Sequence, residues 1–99
     1  MLWTMHCLDR PNGLELRLAT RPRHIEYLNS VKSKILFCGP LLSEDGQSMI
    51  GSLFIVDVPD RTAAEAFSKN DPYSAAGLFE SVVIRRVRKF LFDPTLAKD

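Results

Sequence analysis

The order of strand-like and helix-like segments is the feature that most restricts the fold of this chain. Apolar or β-branched runs bounded by turn residues predict strands, whereas apolar residues repeating at three and four positions predict helices. The predicted strands cover residues 2–8, 35–38, 49–58 and 82–91, and the predicted helical segments cover residues 14–33, a stretch beginning at 60–62, and 71–76. The main elements therefore follow the order β-α-β-β-α-β.

This order predicts an α+β protein of ferredoxin-like topology, with a four-stranded antiparallel sheet and two helices on one face. A chain of 99 residues fits a single domain, which we place over residues 1–99 with a loose tail over 92–99. One face of such a sheet stays uncovered by helices. We therefore expect a homodimer, because a second copy can cover that face.

Pro22 divides the first helical segment in this interpretation. Proline is tolerated at the first position of a helix, so we expect residues 14–18 to form a short opening turn or helix and the main helix to begin at Pro22. Thr20 or Arg21 then supplies the cap, and Thr20 has the better capping chemistry. His24 shares a helical face with the apolar residues Tyr27, Leu28 and Val31, so its side chain should point inward.

His24 and Asp71 are the residues most suited to proton transfer, and the residues alone leave two interpretations of each. His24 is either a core histidine with satisfied nitrogens or a general base, since imidazole titrates near neutral pH. Asp71 precedes Pro72 in the pattern of a helix cap, and a carboxylate at that position can also orient an imidazole.

Two arginines near His24 form a second candidate feature. Arg17 and Arg21 are four residues apart and share one helical face if the helix is continuous there. They are either solvated side chains or a clamp for a carboxylate or phenolate group.

Composition and charge disfavour several classes of function. A net charge of +1 gives no field to attract nucleic acid or a membrane surface, and the basic residues near position 86 divide between the two faces of a strand. Cys7 and Cys38 lie in apolar runs rather than in a metal-binding or disulfide pattern. No apolar stretch approaches the length of a membrane span, and the reducing cytoplasm is the expected location.

The chain resembles the YciI-like (YCII-related) family over residues 2–92. The matching pieces, in order, are Leu14-Glu15-Leu16-Arg17-Leu18, Arg21-Pro22-Arg23-His24, Gly39-Pro40, Gly51-Ser52, and Asp71-Pro72-Tyr73-Ser74-Ala75-Ala76-Gly77-Leu78-Phe79. The resemblance implies a dimer formed through the sheets and a pocket centred on a histidine–aspartate pair, which falls on His24 and Asp71. The residues it implies for substrate binding are Arg17, Arg21, Gly39, Pro40, Ser52 and Tyr73.

Two hypotheses about function follow. The first is a lyase- or isomerase-type enzyme without cofactor or metal, dehydrochlorinase-like as in some relatives, which uses His24 and Asp71 on a small anionic or aromatic substrate. The second is a non-catalytic dimeric domain whose pocket holds a small acid and whose His24 only donates a hydrogen bond.

Overall fold

The computed structural model describes residues 1–96. Four strands, three α-helices and two short 3₁₀ turns make up this part of the chain. They are β1 (Leu2–Asp9), α1 (Leu14–Val31), a turn at Lys32–Lys34, β2 (Ile35–Leu42), β3 (Met49–Asp57), α2 (Arg61–Asn70), α3 (Pro72–Ala75), β4 (Phe79–Val87) and a turn at Pro94–Leu96.

The sheet has the strand order β2-β3-β1-β4, and each neighbouring pair is antiparallel. Side chains that alternate along β1 and β3 form a core with α1 and α2 on one face of the sheet. Its buried apolar residues are Trp3, Met5, Cys7, Phe54, Val56, Val58, Ala64 and Phe67. The predicted α+β, ferredoxin-like fold class is confirmed.

The first helix differs from the sequence-based expectation. It is continuous over 18 residues from Leu14, and Pro22 lies in its interior instead of at its start. Proline lacks an N–H, so the carbonyl of Leu18, four residues earlier, loses its helical donor. Leu18 and Pro22 are both exposed, and water can hydrate that carbonyl. The predicted helix start, with Thr20 or Arg21 as its cap, is therefore wrong.

The boundaries of two strands, β2 and β4, also differ clearly from the predictions. Gly39 and Pro40 do not end β2, which continues to Leu42, and Pro40 lies opposite Ser52 of β3. Because β2 is an edge strand, a residue without an N–H is tolerated there. The last strand begins at Phe79 rather than Val82 and ends at Val87 rather than Leu91.

The turns before α2 and α3 place the second half of the site. The Asp60 carboxylate accepts a hydrogen bond from the Ala63 N–H and so caps α2. Asp71 caps α3 in the same way, with Pro72 at the first helical position. Gly77, with a φ of 76°, then ends this short helix in the left-handed conformation that glycine adopts without strain. The predicted cap at Asp71 is confirmed.

The segment after β4 contains one short turn. Asp93 accepts hydrogen bonds from the N–H and the hydroxyl of Thr95 in the turn at Pro94–Leu96, and the loose tail over residues 92–99 stays a prediction. The rest of that predicted tail, residues 97–99, lies outside the described residues. Over residues 1–96, no helix is long and apolar enough to cross a bilayer.

Candidate functional site

The structure brings His24 of α1 next to Asp71, the residue that joins α2 to α3. The His24 Nδ1 atom lies 2.8 Å from Asp71 Oδ1, and both side chains are buried, with exposed fractions of 10% and 2%. An ionised carboxylate can only accept hydrogen bonds, so a contact between ionised Asp71 and the neutral ring requires Nδ1 to be the donor and to carry the proton. The neutral ring then keeps an unprotonated Nε2, the atom that can accept a proton.

One oxygen of Asp71 serves both the helix cap and the imidazole. Oδ1 also accepts the Tyr73 backbone N–H at 3.0 Å, so capping and ring orientation come from the same atom. Oδ2 is buried and has no hydrogen-bond partner among the described residues. The two interpretations of Asp71 are therefore compatible in one geometry, and the carboxylate is fixed by backbone as well as by side chain.

Tyr73 and Arg17 lie behind the imidazole, in a stack of three side chains. The Tyr73 ring is nearly parallel to the His24 ring, with centroids 3.9 Å apart. The guanidinium carbon of Arg17 lies 4.6 Å from the centroid of the tyrosine ring, a cation–π distance. Buried stacking on one side and the Asp71 hydrogen bond on the edge together restrict rotation of the His24 ring.

Arg17 is held by a carboxylate and a hydroxyl. Its Nε and one terminal nitrogen donate to the two oxygens of Asp9 at 2.7 and 3.0 Å, and the same terminal nitrogen donates to Ser52 Oγ at 2.9 Å. Burial disfavours the charged form of Arg17, but the hydrogen bond and charge of Asp9 outweigh burial, and the pKa of Arg17 is raised. Arg17 is thus a fixed cation whose charge is already compensated by Asp9.

A cavity of about 230 Å³ opens beside His24, between α1 and the strands β2 and β3. Its wall is mainly apolar, and its polar side chains are those of Arg21, His24 and Ser52. The complete lining is Arg21, His24, Ile25, Leu28, Cys38, Gly39, Pro40, Met49, Ser52 and Phe54. The volume is below the roughly 300–1,000 Å³ of pockets for drug-sized ligands, so the cavity suits a small molecule.

Cys38 is the thiol on the cavity wall. Burial raises the pKa of this thiol, and the negative charge of Asp71 raises it further. A thiol with a raised pKa is mostly protonated at neutral pH and is a poor nucleophile. His24 is therefore better suited than Cys38 to reactive chemistry in this cavity.

The predicted site residues divide into two groups in the structure. Five of the predicted residues line the cavity: Arg21, His24, Gly39, Pro40 and Ser52. The other three lie behind it: Arg17, Asp71 and Tyr73 are 2%, 1% and 1% exposed, and none lines the cavity wall. Direct substrate contact by Arg17 and Tyr73 stays a prediction, and their observed contacts are with Asp9, Ser52 and the His24 ring.

Sequence reasoning missed Asp9 and the apolar wall of the cavity. Asp9 stands at the end of a strand next to turn residues and has the pattern of an exposed loop residue. Its pairing with the buried Arg17 of α1 is visible only in the structure. Met49 and Phe54 look like ordinary strand residues in the sequence. Over residues 1–96, no group of three or more histidine, cysteine or acidic side chains is arranged to hold a metal ion.

These features define a ferredoxin-like protein with a buried histidine–aspartate pair beside a small apolar cavity. The model of the YCII-related domain family matches residues 1–88, and the chain belongs to this family. Protein YciI from Escherichia coli O6:H1 and Protein YciI from Shigella flexneri are each 31% identical to the chain over 96 residues. Each alignment covers 90% of this chain and 98% of the relative.

A solved structure is similar in both fold and sequence. The 5-chloro-2-hydroxyhydroquinone dehydrochlorinase TftG from Burkholderia phenoliruptrix AC1100, in complex with 2,5-dihydroxybenzoquinone, superposes with a TM-score of 0.82 at 33% identity. The match covers 89% of this chain and 94% of TftG. TftG is thus a relative with a dehydrochlorinase activity and a small quinone ligand.

Proposed function

We propose that the chain is a cofactor-independent lyase- or isomerase-type enzyme that uses His24 and Asp71 for proton transfer on a small, hydroxylated, anionic ring compound. The observation that carries this proposal is the 2.8 Å contact between His24 Nδ1 and Asp71 at the wall of a ring-sized cavity. The dehydrochlorinase activity of TftG supports the reaction class.

In this proposal His24 Nε2 is the base. Asp71 holds the proton on Nδ1, and its negative charge stabilises the imidazolium that forms when Nε2 takes a proton. Positioned proton transfer of this kind contributes about 10²–10⁴-fold to a rate. That contribution suits elimination from an activated substrate whose ring hydroxyls ionise readily.

Loss of HCl from a chlorinated, hydroxylated ring balances with one base. A ring hydroxyl gives its proton to His24, and the imidazolium returns a proton to the carbon that bears chlorine. Chloride then leaves with the electron pair of the C–Cl bond, and a second hydroxyl loses its proton to give the quinone. The sum of these steps is the loss of one HCl, and the same base serves each proton transfer.

Arg21 is the proposed contact for the negative charge of the substrate. Its side chain lines the cavity one helical turn before His24, and no residue in the described part of the chain forms a salt bridge with it. A guanidinium group at that position can pair with a phenolate oxygen. Arg17, by contrast, already has a carboxylate partner, and we propose that it acts through Tyr73 to position the His24 ring.

The proposed dimer forms through the face of the sheet that α1 and α2 leave open. Along β1, β3 and β4 this face carries apolar side chains, among them Leu8, Leu53, Ile55, Val83 and Val87, interspersed with polar ones such as His6 and Arg85. Leu8, Val83 and Val87 are 38%, 37% and 40% exposed in the single chain. Exposed apolar side chains on a sheet face without helices suit an interaction site, and the second copy is the proposed partner.

The enzyme proposal is tested with 5-chloro-2-hydroxyhydroquinone as the probe substrate. Chloride release is measured for the parent protein, for His24→Gln and for Asp71→Asn, with Lys34→Ala as an exposed control outside the cavity. We expect kcat to fall about 10²–10⁴-fold in His24→Gln and to stay unchanged in the control. A parent protein that binds 2,5-dihydroxybenzoquinone but releases no chloride from the probe would contradict this reaction and favour the ligand-binding hypothesis.

A further inference from the structure

An irregularity in the sheet aims Met49 of β3 into the cavity. The pairing of β2 with β3 shifts register between Leu41 and Leu42, where Ile50 is an extra residue of β3. Strict alternation would put Met49 and Ser52 on opposite faces of the sheet, because their positions differ by an odd number. Both residues nevertheless line the same cavity. A β-bulge next to a functional site commonly re-aims a side chain in this way, so the direction of Met49 is a consequence of the bulge.

Met49 also belongs to the wall of a second cavity. This cavity has a volume of about 280 Å³ and is formed by residues 9–14 and 48–50. Of the described residues, Met49 is the one that lines both cavities, so the two cavities meet at its side chain. Methionine is unbranched and has three rotatable side-chain bonds. Its side chain can therefore move between the two cavities without a change in the strand.

The hairpin loop before β3 fixes the backbone next to Met49. The Ser43 N–H donates to the Ser48 carbonyl at 2.9 Å, and the Ser48 N–H donates to the Ser43 hydroxyl oxygen at 3.1 Å. The Asp45 carboxylate accepts the Ser43 hydroxyl at 2.6 Å and the Gln47 N–H at 3.0 Å. Passage between the two cavities therefore depends on the Met49 side chain rather than on movement of this loop.

Arg10 supplies the positive charge of the second cavity. Its backbone N–H donates to the Leu78 carbonyl at 2.8 Å, and its Nε donates to the Gly77 carbonyl at 2.7 Å. No acidic side chain in the described part of the chain forms a salt bridge with Arg10. Asp9 lines the same cavity, but both of its oxygens accept hydrogen bonds from Arg17. An anionic group in the second cavity would therefore meet a positioned guanidinium that has no carboxylate partner.

We propose that the second cavity is a subsite for a short, carboxylate-bearing side chain of the ring substrate, and that Met49 controls entry to it. The ring occupies the first cavity beside His24, its side chain passes Met49, and its carboxylate pairs with Arg10. This inference rests on the proposed function and adds a substrate class to it, a hydroxylated ring that carries an acidic side chain.

The test compares dissociation constants of three ligands, measured by isothermal titration calorimetry at about pH 7.5. The first ligand is 2,5-dihydroxybenzoquinone, and the second is the same quinone with a 2-carboxyethyl substituent on a ring carbon. The third carries a 2-carbamoylethyl substituent, which has the size of the second without its charge. The comparison of the second and third ligands isolates the contribution of the carboxylate.

Two variants and two controls locate the substituent. Arg10→Gln removes the charge of the second cavity, and Met49→Phe places a larger and stiffer side chain between the two cavities. Arg23→Gln is the control for loss of an exposed arginine, because Arg23 lines neither cavity. Leu18→Phe is the control for an added aromatic ring, because Leu18 is exposed on α1 and also lines neither cavity.

In the parent protein we expect the carboxyethyl quinone to bind at least tenfold tighter than the unsubstituted quinone, since two buried methylene groups contribute about that factor. We expect it to bind about fivefold tighter than the carbamoylethyl quinone, the upper range for an exposed ion pair. Arg10→Gln should abolish the preference for carboxylate over amide. Met49→Phe should abolish the advantage of both substituents, and the two controls should retain the preferences of the parent.

The outcomes separate this inference from the proposed function. A parent that binds the unsubstituted quinone, but neither substituted quinone more tightly, overturns the subsite and leaves the site at His24 standing. A preference for carboxylate that survives in Arg10→Gln also overturns the subsite, and an advantage of the substituents that survives in Met49→Phe overturns the role of Met49. A parent that binds none of the three ligands overturns both the ring site and the subsite.

A second measurement detects Met49 in the parent protein itself. In a sample labelled with ¹³C at the methionine methyl groups, we expect nuclear Overhauser effects between the Met49 methyl group and the methylene protons of the bound carboxyethyl quinone. Met5, which is fully buried in the core, is the internal reference and should show none. A bound ligand whose methylene protons give no signal to Met49 contradicts the inference.

Discussion

The buried pair of Asp9 and Arg17 gives the sharpest prediction about stability. The side chains are 5% and 3% exposed, and Nε lies 2.7 Å from Oδ2. Asp9→Asn keeps the size of the side chain but removes the negative charge, which leaves the Arg17 cation buried without compensation. Such a change costs about 3–5 kcal/mol. The amide oxygen of asparagine can still accept one hydrogen bond, so we expect a loss near 3 kcal/mol.

Urea unfolding measures this loss, with Glu65→Gln as the matched control. Glu65 pairs with Arg61 at 3.9 Å, but both side chains are more than half exposed, at 56% and 55%. An exposed pair contributes about 0–1 kcal/mol. With a urea dependence of about 1–3 kcal/mol per molar, Asp9→Asn should lower the unfolding midpoint by about 1–3 M, and the control should shift it by much less.

A double variant tests whether the loss comes from the unpaired charge. Arg17→Met combined with Asp9→Asn removes both charges, and we expect it to be more stable than Asp9→Asn alone. The reasoning fails if Asp9→Asn and Glu65→Gln lose the same free energy of unfolding, since burial would then make no difference to the pair.

Three further predictions concern the strands, α1 and the cavity thiol. A Cβ at Gly51 would collide with the backbone carbonyl of Cys7, so Gly51→Ala should lower the free energy of unfolding by about 2 kcal/mol or more in thermal unfolding. Gly39 has open space around it, so the control Gly39→Ala should lower it by less than about 1 kcal/mol. Equal losses in the two variants would contradict this reasoning. Burial and, to a smaller extent, the negative charge of Asp71 raise the pKa of the Tyr27 hydroxyl to about 12. The folded-state pKa therefore exceeds the unfolded value of about 10. The stability that this hydroxyl contributes is complete below pH 10 and decreases between pH 10 and about pH 12. The difference in free energy of unfolding between the parent and Tyr27→Phe should therefore shrink over that range. A difference that stays constant would refute this prediction. The rate at which iodoacetamide modifies Cys38 should rise with pH, and the midpoint of that rise should lie at a higher pH than the midpoint for a free thiol. A midpoint at or below the free-thiol value would refute the raised pKa.

The fold was predictable because its main signals are local. Turn residues and hydrophobic period define the order of the strands and helices, and that order restricts the topology to few solutions. The errors fall where tertiary contacts override local preference. Pro22 lies within a helix because its neighbourhood is exposed, and β2 continues through Pro40 because it is an edge strand.

The site was predictable only in part. The inward direction of His24 follows from helical spacing, and the cap at Asp71 follows from the proline after it. The two residues are 47 positions apart along the chain. The residues alone do not reveal that they are in contact, and the family resemblance supplied that pairing. Asp9 could not be identified because its role depends on where α1 places Arg17 relative to the end of β1, and a carboxylate beside turn residues has an ordinary explanation as a loop residue.

The tautomer of His24 is the measurement that tests the central claim most directly. Long-range ¹H–¹⁵N correlation spectra at pH 8.5, above the ordinary range of imidazole titration, show which ring nitrogen carries the proton. His6, which is exposed on the open face, serves as the internal reference, and Asp71→Ala shows whether the carboxylate selects the tautomer. The account predicts a proton on Nδ1 of His24 in the parent, so that Nε2 is free to act as the base. A proton on Nε2 in the parent would contradict it.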